Sequence, residues 1–216
     1  MELFLNLVKR DIFLAGKTGN KVIISLIFFL LILSIIPLSL GSNLSYINNI
    51  AAGIIWISII LSVLLSLDKL FQSDFDDGNL DLIMMINLPL ELIVLAKCIS
   101  LWLVTCLPII IFSPIICIFL YMDFNTLLFL FLSLLIGTPG LILLGCISSA
   151  LTIGVRRAGI VIAIIIIPLY IPFIIFGVSS INSGEITDMM FLSAMSLIAI
   201  VIGPVFSSFA LKIYYR

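Results

Sequence analysis

"DKLFQSDFDDGNLDLIMMINLP" (residues 68–89) is the stretch where this chain gathers charge, and the side of the membrane it faces fixes the topology of everything else. Asp68, Asp74, Asp76, Asp77 and Asp81 stand there against the single cation Lys69. The rest is oil: 63% of the residues are hydrophobic, 10% are charged, and the mean hydropathy is +1.44. Soluble domains carry about 25% charged residues. The apolar runs on either side of the insert exceed the roughly 20 residues needed to cross about 30 Å of hydrocarbon. A soluble globular domain is excluded, and a polytopic membrane protein is expected.

Six spans are expected, at about 22–40, 46–67, 92–121, 127–153, 159–178 and 189–211. In lipid, backbone amides find no water and pair within their own segment, so the fold class is all-α. Orientation follows from the cations Lys9, Arg10, Lys17, Lys21, Lys69, Lys97, Arg156, Arg157, Lys212 and Arg216, which all fall on one side of a six-span arrangement. The opposite loops, "GSNLSYINN" (41–49), "MDFNT" (122–126) and "SSINSGEITD" (179–188), hold no Lys or Arg. Positive charge marks the cytoplasmic side. Both termini and the acidic insert are therefore expected in the cytoplasm.

The apolar run at 22–40 is too long for a secretory signal, whose core is 7–15 residues, and is read as a retained span. Before it, "MELFLNLVKRDIFLAGK" (1–17) brings Leu3, Leu7 and Leu14 near one another on a helix, with Glu2, Lys9 and Arg10 elsewhere. That pattern fits a helix lying in the interface over residues 1–20; a frayed tail is the alternative. Cys98, Cys106, Cys117 and Cys146 fall inside the expected spans, where cysteine packs as a small apolar residue. No metal site is expected from them.

Absences narrow the chemistry. The chain has no histidine, which removes the commonest haem axial ligand and a frequent proton carrier. No ionisable residue is expected deep within a span, which argues against proton-coupled transport. "GKT" at 16–18 resembles the end of a phosphate-binding loop, but Asp11 stands where its first glycine is required. "DFDDG" at 74–78 resembles a calcium loop, but Ser73 and Phe75 fall at its first and third ligand positions. Energy for any work on a substrate is expected from another subunit.

Within 68–91 the spacing predicts a short helix, a turn and a second short helix. Leu70, Phe71 and Phe75 lie on adjoining faces of the first, and Asp77-Gly78 breaks it. Asp77 or Asn79 can cap the second, "LDLIMMIN", which Pro89 ends. Such an element is too polar for lipid and too apolar to stand alone in water. It is expected to grip a soluble motor subunit through Leu70, Phe71, Asp74, Asp77, Gly78, Leu80, Asp81 and Met84; the alternative is a hairpin lying against the protein's own spans. Proline is expected to bend the spans at Pro108, Pro114, Pro139, Pro168 and Pro172, with nearby hydroxyls or glycines covering freed carbonyls or letting helices approach closely.

The ordered set "AGIIW" (52–56), residues 67–97, "TCLPIIIFSP" (105–114), "GTPG" (137–140), "ALTIGVRR" (150–157) and "IPLYIPFIIFG" (167–177) resembles the CcmB family over nearly the whole chain. Asp74, Asp77, Gly78, Leu80 and Lys97 match its best-marked segment, while Asp81 stands where the family often has Glu and Ala52 where it has Pro. The resemblance implies a non-enzymatic permease subunit of an ATP-binding-cassette complex in a bacterial inner membrane. ATP would be bound by a CcmA-like ATPase, with CcmC and CcmD as membrane partners and the haem chaperone CcmE served indirectly. The complex would handle haem, by export or by release of haem-loaded CcmE; this chain would hold no cofactor and bind no nucleic acid. A stand-alone channel or carrier for a small hydrophobic solute, and a passive scaffold, are the competing readings.

Overall fold

Each apolar run is an α-helix in the computed structural model, which describes residues 2–17, 20–41, 44–123, 126–155 and 158–214. The cations Arg156, Arg157 and Arg216, the side chains of Lys17 and Lys21, and Thr18 of the "GKT" match lie outside the described residues. Helix α1 (Glu2–Lys17) is followed by α2 (Asn20–Leu40) and α3 (Leu44–Leu67). The acidic insert forms α4 (Gln72–Asp76) and α5 (Asn79–Met84). Then come α6 (Leu90–Ile111), α7 (Ser113–Phe119), α8 (Thr126–Leu151), α9 (Ala158–Ser183) and α10 (Ile186–Tyr214). Helices α3, α6, α8, α9 and α10 are long and apolar enough to cross a membrane. In α2 the described apolar part, Ile24–Ser39, is shorter. Its backbone helix of 21 residues nevertheless rises about 31 Å at 1.5 Å per residue. No strand occurs among the described residues. The protein is an all-α polytopic membrane protein.

The third span departs from expectation. A single helix over 92–121 is divided, with α6 ending at Ile111 and α7 starting at Ser113. Pro114 has no N–H to give, and its ring would clash with the carbonyl a turn earlier, so it opens a helix more easily than it continues one. Pro114 accordingly lies in the first turn of α7 and is not a kink within a span. Pro108, Pro139, Pro168 and Pro172 do lie inside continuous helices. The nearby hydroxyls do not cover the carbonyls these prolines free. Thr105 donates to Leu101 O and Thr138 to Leu134 O, both at 2.7 Å, whereas Pro108 and Pro139 free Val104 and Leu135.

The expected loop at 179–188 is mostly helix. Helix α9 runs on to Ser183 and α10 starts at Ile186, with Gly184 at φ 65 making the turn. Asp188 Oδ2 accepts hydrogen bonds from Ser179 (2.5 Å) and Ser183 (3.0 Å), which closes the connection.

Small residues let the helices approach. Trp56 of α3 and Tyr170 and Phe173 of α9 are fully buried around α8. A Cβ on Gly137 would come 2.5 Å from the Trp56 ring, and one on Gly140 2.6 Å from Phe173. Between α8 and α10 the approach is backbone to backbone: a Cβ on Gly203 would lie 2.5 Å from Leu143 O. Hydroxyls fasten α2 to α3, with Ser25 Oγ donating to Ser62 O (3.0 Å) and Ser62 Oγ to Ser25 O (2.9 Å). Small side chains and shared hydroxyls are how helices associate where lipid is as apolar as leucine.

Candidate functional site

The insert is built by local turns and then clamped by distant residues. After α3 the chain tightens, with Leu70 N–H donating to Leu67 O (3.1 Å). Gly78, at φ 68 and ψ 7, both ends α4 and takes the N-cap position of α5. That left-handed conformation suits glycine, which has no Cβ to clash. Neither Asp77 nor Asn79 caps α5: its cap carries no side-chain hydrogen bond, since Asp77 lies one residue too early and Asn79 is already helical. Helix α5 ends at Met84, short of the expected "LDLIMMIN", and Pro89 instead caps α6, accepting from Leu92 N–H (3.0 Å) and Ile93 N–H (3.2 Å).

Half of the expected gripping residues face inward. Phe71 and Leu80 are buried in the main core, with Leu70 beside them. Asp74 is buried too, and its partner is Lys97. The Lys97 ammonium lies against Asp74 Oδ2 and 3.5 Å from Asp11 Oδ2. Arg10 Nη2 lies 2.6 Å from Asp11 Oδ1 and 3.7 Å from Asp74 Oδ1. Two cations and two carboxylates cancel one another there. The Lys97 side chain is 5% exposed and that of Asp74 12%. Removing charges from water is costly unless they are paired, and this cluster meets the condition.

Lys97, expected near a span end and not deep within it, is nevertheless buried. It stands seven residues past the start of α6 at Leu90, about 10 Å along the helix. Arg10, expected away from the packed face of α1, is turned into the cluster. On α1 it is Leu7 and Val8 that are buried, while Leu3 and Leu14 are exposed. Lys97, Arg10 and Asp11 were missed as site residues. The available signal was a lone ammonium in an otherwise apolar run, which requires a carboxylate from another element.

What remains outward is a continuous strip: Asp76, Asp77, Gly78, Asn79 and Asp81, beside Leu82 (64% exposed) and Met85 (82%). Met84 is half-buried. Three carboxylates next to two large apolar side chains make a face that is amphipathic toward solvent. Its back is tied to most of the bundle. Gly154 N–H donates to Gln72 Oε1 (3.0 Å), and the Phe75 ring meets Tyr214 edge-on at 5.5 Å. Ser149 Oγ donates to Leu67 O (2.8 Å). Beside it, Glu91 at the start of α6 accepts from Ser208 (2.9 Å) and lies 3.6 Å from Lys212 of α10. The same end of the bundle holds a cavity of about 180 Å³, into which Lys97, Asp68, Ser100, Leu14, Ile24 and Leu65 project.

The other candidates do not assemble. No group of three or more potential metal ligands occurs among the described residues. Cys98, Cys106, Cys117 and Cys146 are buried and unbridged.

The profile of the family described as CcmB protein matches residues 2–214. Heme exporter protein B of Paracoccus denitrificans (strain Pd 1222) is 37% identical over 215 residues, covering 97% of this chain and 99% of that protein. Heme exporter protein B of Haemophilus influenzae is 36% identical over 216 residues, 98% of each. That of Escherichia coli (strain K12) is 35% identical over 183 residues, 85% of this chain and 83% of the relative. A match this long, running through the acidic insert and every apolar helix, means that the chain belongs to the CcmB family.

Proposed function

We propose that this chain is the membrane subunit of a bacterial haem-export and c-type cytochrome maturation complex, coupling ATP hydrolysis by a soluble CcmA-like ATPase to the membrane step. The names of its relatives support the haem-export role. The observation that carries the coupling reading is the outward strip from Asp76 to Met85, acidic and apolar together and mounted on a back that is buried and ion-paired. An acidic face steers and orients a partner of opposite charge. Exposed apolar side chains such as Leu82 and Met85 supply the area that a stable contact needs. The insert and both termini face the cytoplasm in this reading, in the inner membrane, and CcmC, CcmD and the chaperone CcmE are partners of the complex.

ATP is bound by the partner, and haem is handled by the complex without a resident cofactor on this chain. Between haem conduction and release of haem-loaded CcmE, the release role fits better. The sequence has no histidine to ligate haem, and the interior beside α8 is filled by Trp56, Tyr170 and Phe173.

Burial decides which residues test this. Reversing Asp74 would disrupt the ion cluster whether or not a partner binds. Reversing the outward pair, Asp77→Lys with Asp81→Lys, leaves the core untouched. The doubly reversed chain is expected to insert normally and to retain the ATPase at least tenfold less well, measured by co-sedimentation with membranes. Undiminished retention would contradict the docking reading.

A further inference from the structure

Two independent features join α1 and α6 to the α4–α5 hairpin, one through α5 and the other through α4. The first is a small apolar cluster separate from the main core, formed by Leu7 and Val8 of α1, Ile83 of α5, and Ile93 and Ala96 of α6. The second is the set of four charges drawn from α1 (Arg10, Asp11), α4 (Asp74) and α6 (Lys97). Together they make α1, the α4–α5 hairpin and the first turns of α6 one body. Helix α2 is fastened elsewhere, to α3 through Ser25 and Ser62. A cavity opens beside the ion cluster, lined by this body, by the end of α3 and by Ile24 of α2.

The charges give the joint its character. Apolar side chains slide over one another at little cost. A buried ammonium between two carboxylates cannot leave its place without exposing an unpaired charge to apolar surroundings. Lys97 stands between Asp11 and Asp74, and Arg10 bridges the same two carboxylates from the other side. A tilt of α4–α5 therefore carries α1 and α6 with it. Farther along, α6 contains Pro108 and ends at Ile111, so a movement delivered at Lys97 reaches a helix already interrupted at its other end.

We propose that the Arg10–Asp11–Asp74–Lys97 cluster is a transmission joint, with Lys97 the positioning residue that converts displacement of the docking segment into a rigid movement of α1 and α6. This rests on the docking reading above. Lys97 does not touch the partner; it acts through Asp74.

The test uses the full chain, reconstituted with its soluble ATPase partner in lipid vesicles, and reads partner binding and chain-dependent ATP hydrolysis separately. The double change Asp74→Asn with Lys97→Gln keeps hydrogen-bonding side chains at both positions and removes the ionic lock. It is expected to bind the partner within twofold of the unaltered chain and to lower chain-dependent hydrolysis at least tenfold. Lys97→Arg keeps the cation and is expected to stay within threefold. Exchanging the two residues is not a suitable rescue, because a carboxylate at 97 would face Asp11 and an ammonium at 74 would face Arg10. Hydrolysis unchanged in the double variant would overturn the joint, as would loss of partner binding together with hydrolysis or an equal fall in Lys97→Arg. If the double variant does not insert, Asp11→Asn decides. A threefold or greater fall with the partner bound supports the joint, and unchanged hydrolysis overturns it. An unaltered chain that neither holds nor stimulates the partner removes the docking reading itself, and this inference with it.

Discussion

Lys97→Met is expected to destabilise the folded chain by about 3 kcal/mol, at the low end of the range for breaking a buried ion pair by deleting one partner. Methionine fills the space but leaves Asp74 and Asp11 facing each other with only Arg10 between them. Arg10 is the more exposed cation, its side chain 34% accessible, so it compensates in part. Deleting both charges should hurt less, because no lone charge then stays behind. Asp74→Asn with Lys97→Gln is therefore expected to recover most of the loss. Thermal unfolding of the detergent-solubilised chain measures both. A single variant no less stable than the double one would show that the cluster is not buried in solution.

The second large effect lies in the core. A Cβ on Gly177 would come 2.2 Å from both Cε2 and Cζ2 of Trp56, and the next ring atom, Cη2, lies where a Cβ on Gly137 would come within 2.5 Å. The indole is fully buried, with little room to retreat, and its N–H has no hydrogen-bond partner among the described residues. Gly177→Ala is expected to cost about 3 kcal/mol, the upper end for overpacking a filled site. Shortening the ring should relieve the clash. In Gly177→Ala with Trp56→Leu, the combined loss is expected to fall at least about 1 kcal/mol below the sum of the single losses, the signature of residues in contact. Gly53→Ala is the control, because nothing lies within 4 Å of its added methyl. Strict additivity of the pair would contradict the packing described for α3 against α9.

Composition and hydropathy carried the reading far at the level of elements. Six apolar helices, the helix–turn–helix of the insert and its break at Gly78 were all legible, because span length and glycine conformation are local properties. What escaped was decided by partners distant in sequence. Lys97 meets Asp74 across 23 positions and Asp11 across 86, and no periodicity in "DKLFQSDF" tells which carboxylate turns inward. An apolar face at Phe71 and Leu80 likewise says that something covers it without saying whether that is a partner or the protein itself. Here the protein covers it. The serines near 179–183 looked like loop, but each found an acceptor at the end of α9 or on Asp188, so the helix continued. The division at Pro114 was visible as a proline, yet a kink and a new helix start differ only in the turn that Phe112 adopts.

The docking account requires the strip from Asp76 to Met85 to stand in the cytosol and to be covered when the ATPase binds. Met85→Cys tests this directly. Met85 is more exposed than its apolar neighbour Leu82, and the four native cysteines are buried, so background labelling is low. A membrane-impermeant maleimide is expected to label Cys at that position in inverted inner-membrane vesicles but not in intact spheroplasts, and added ATPase subunit should block the reaction. Labelling from the periplasmic side of intact spheroplasts would contradict the topology and the coupling role together.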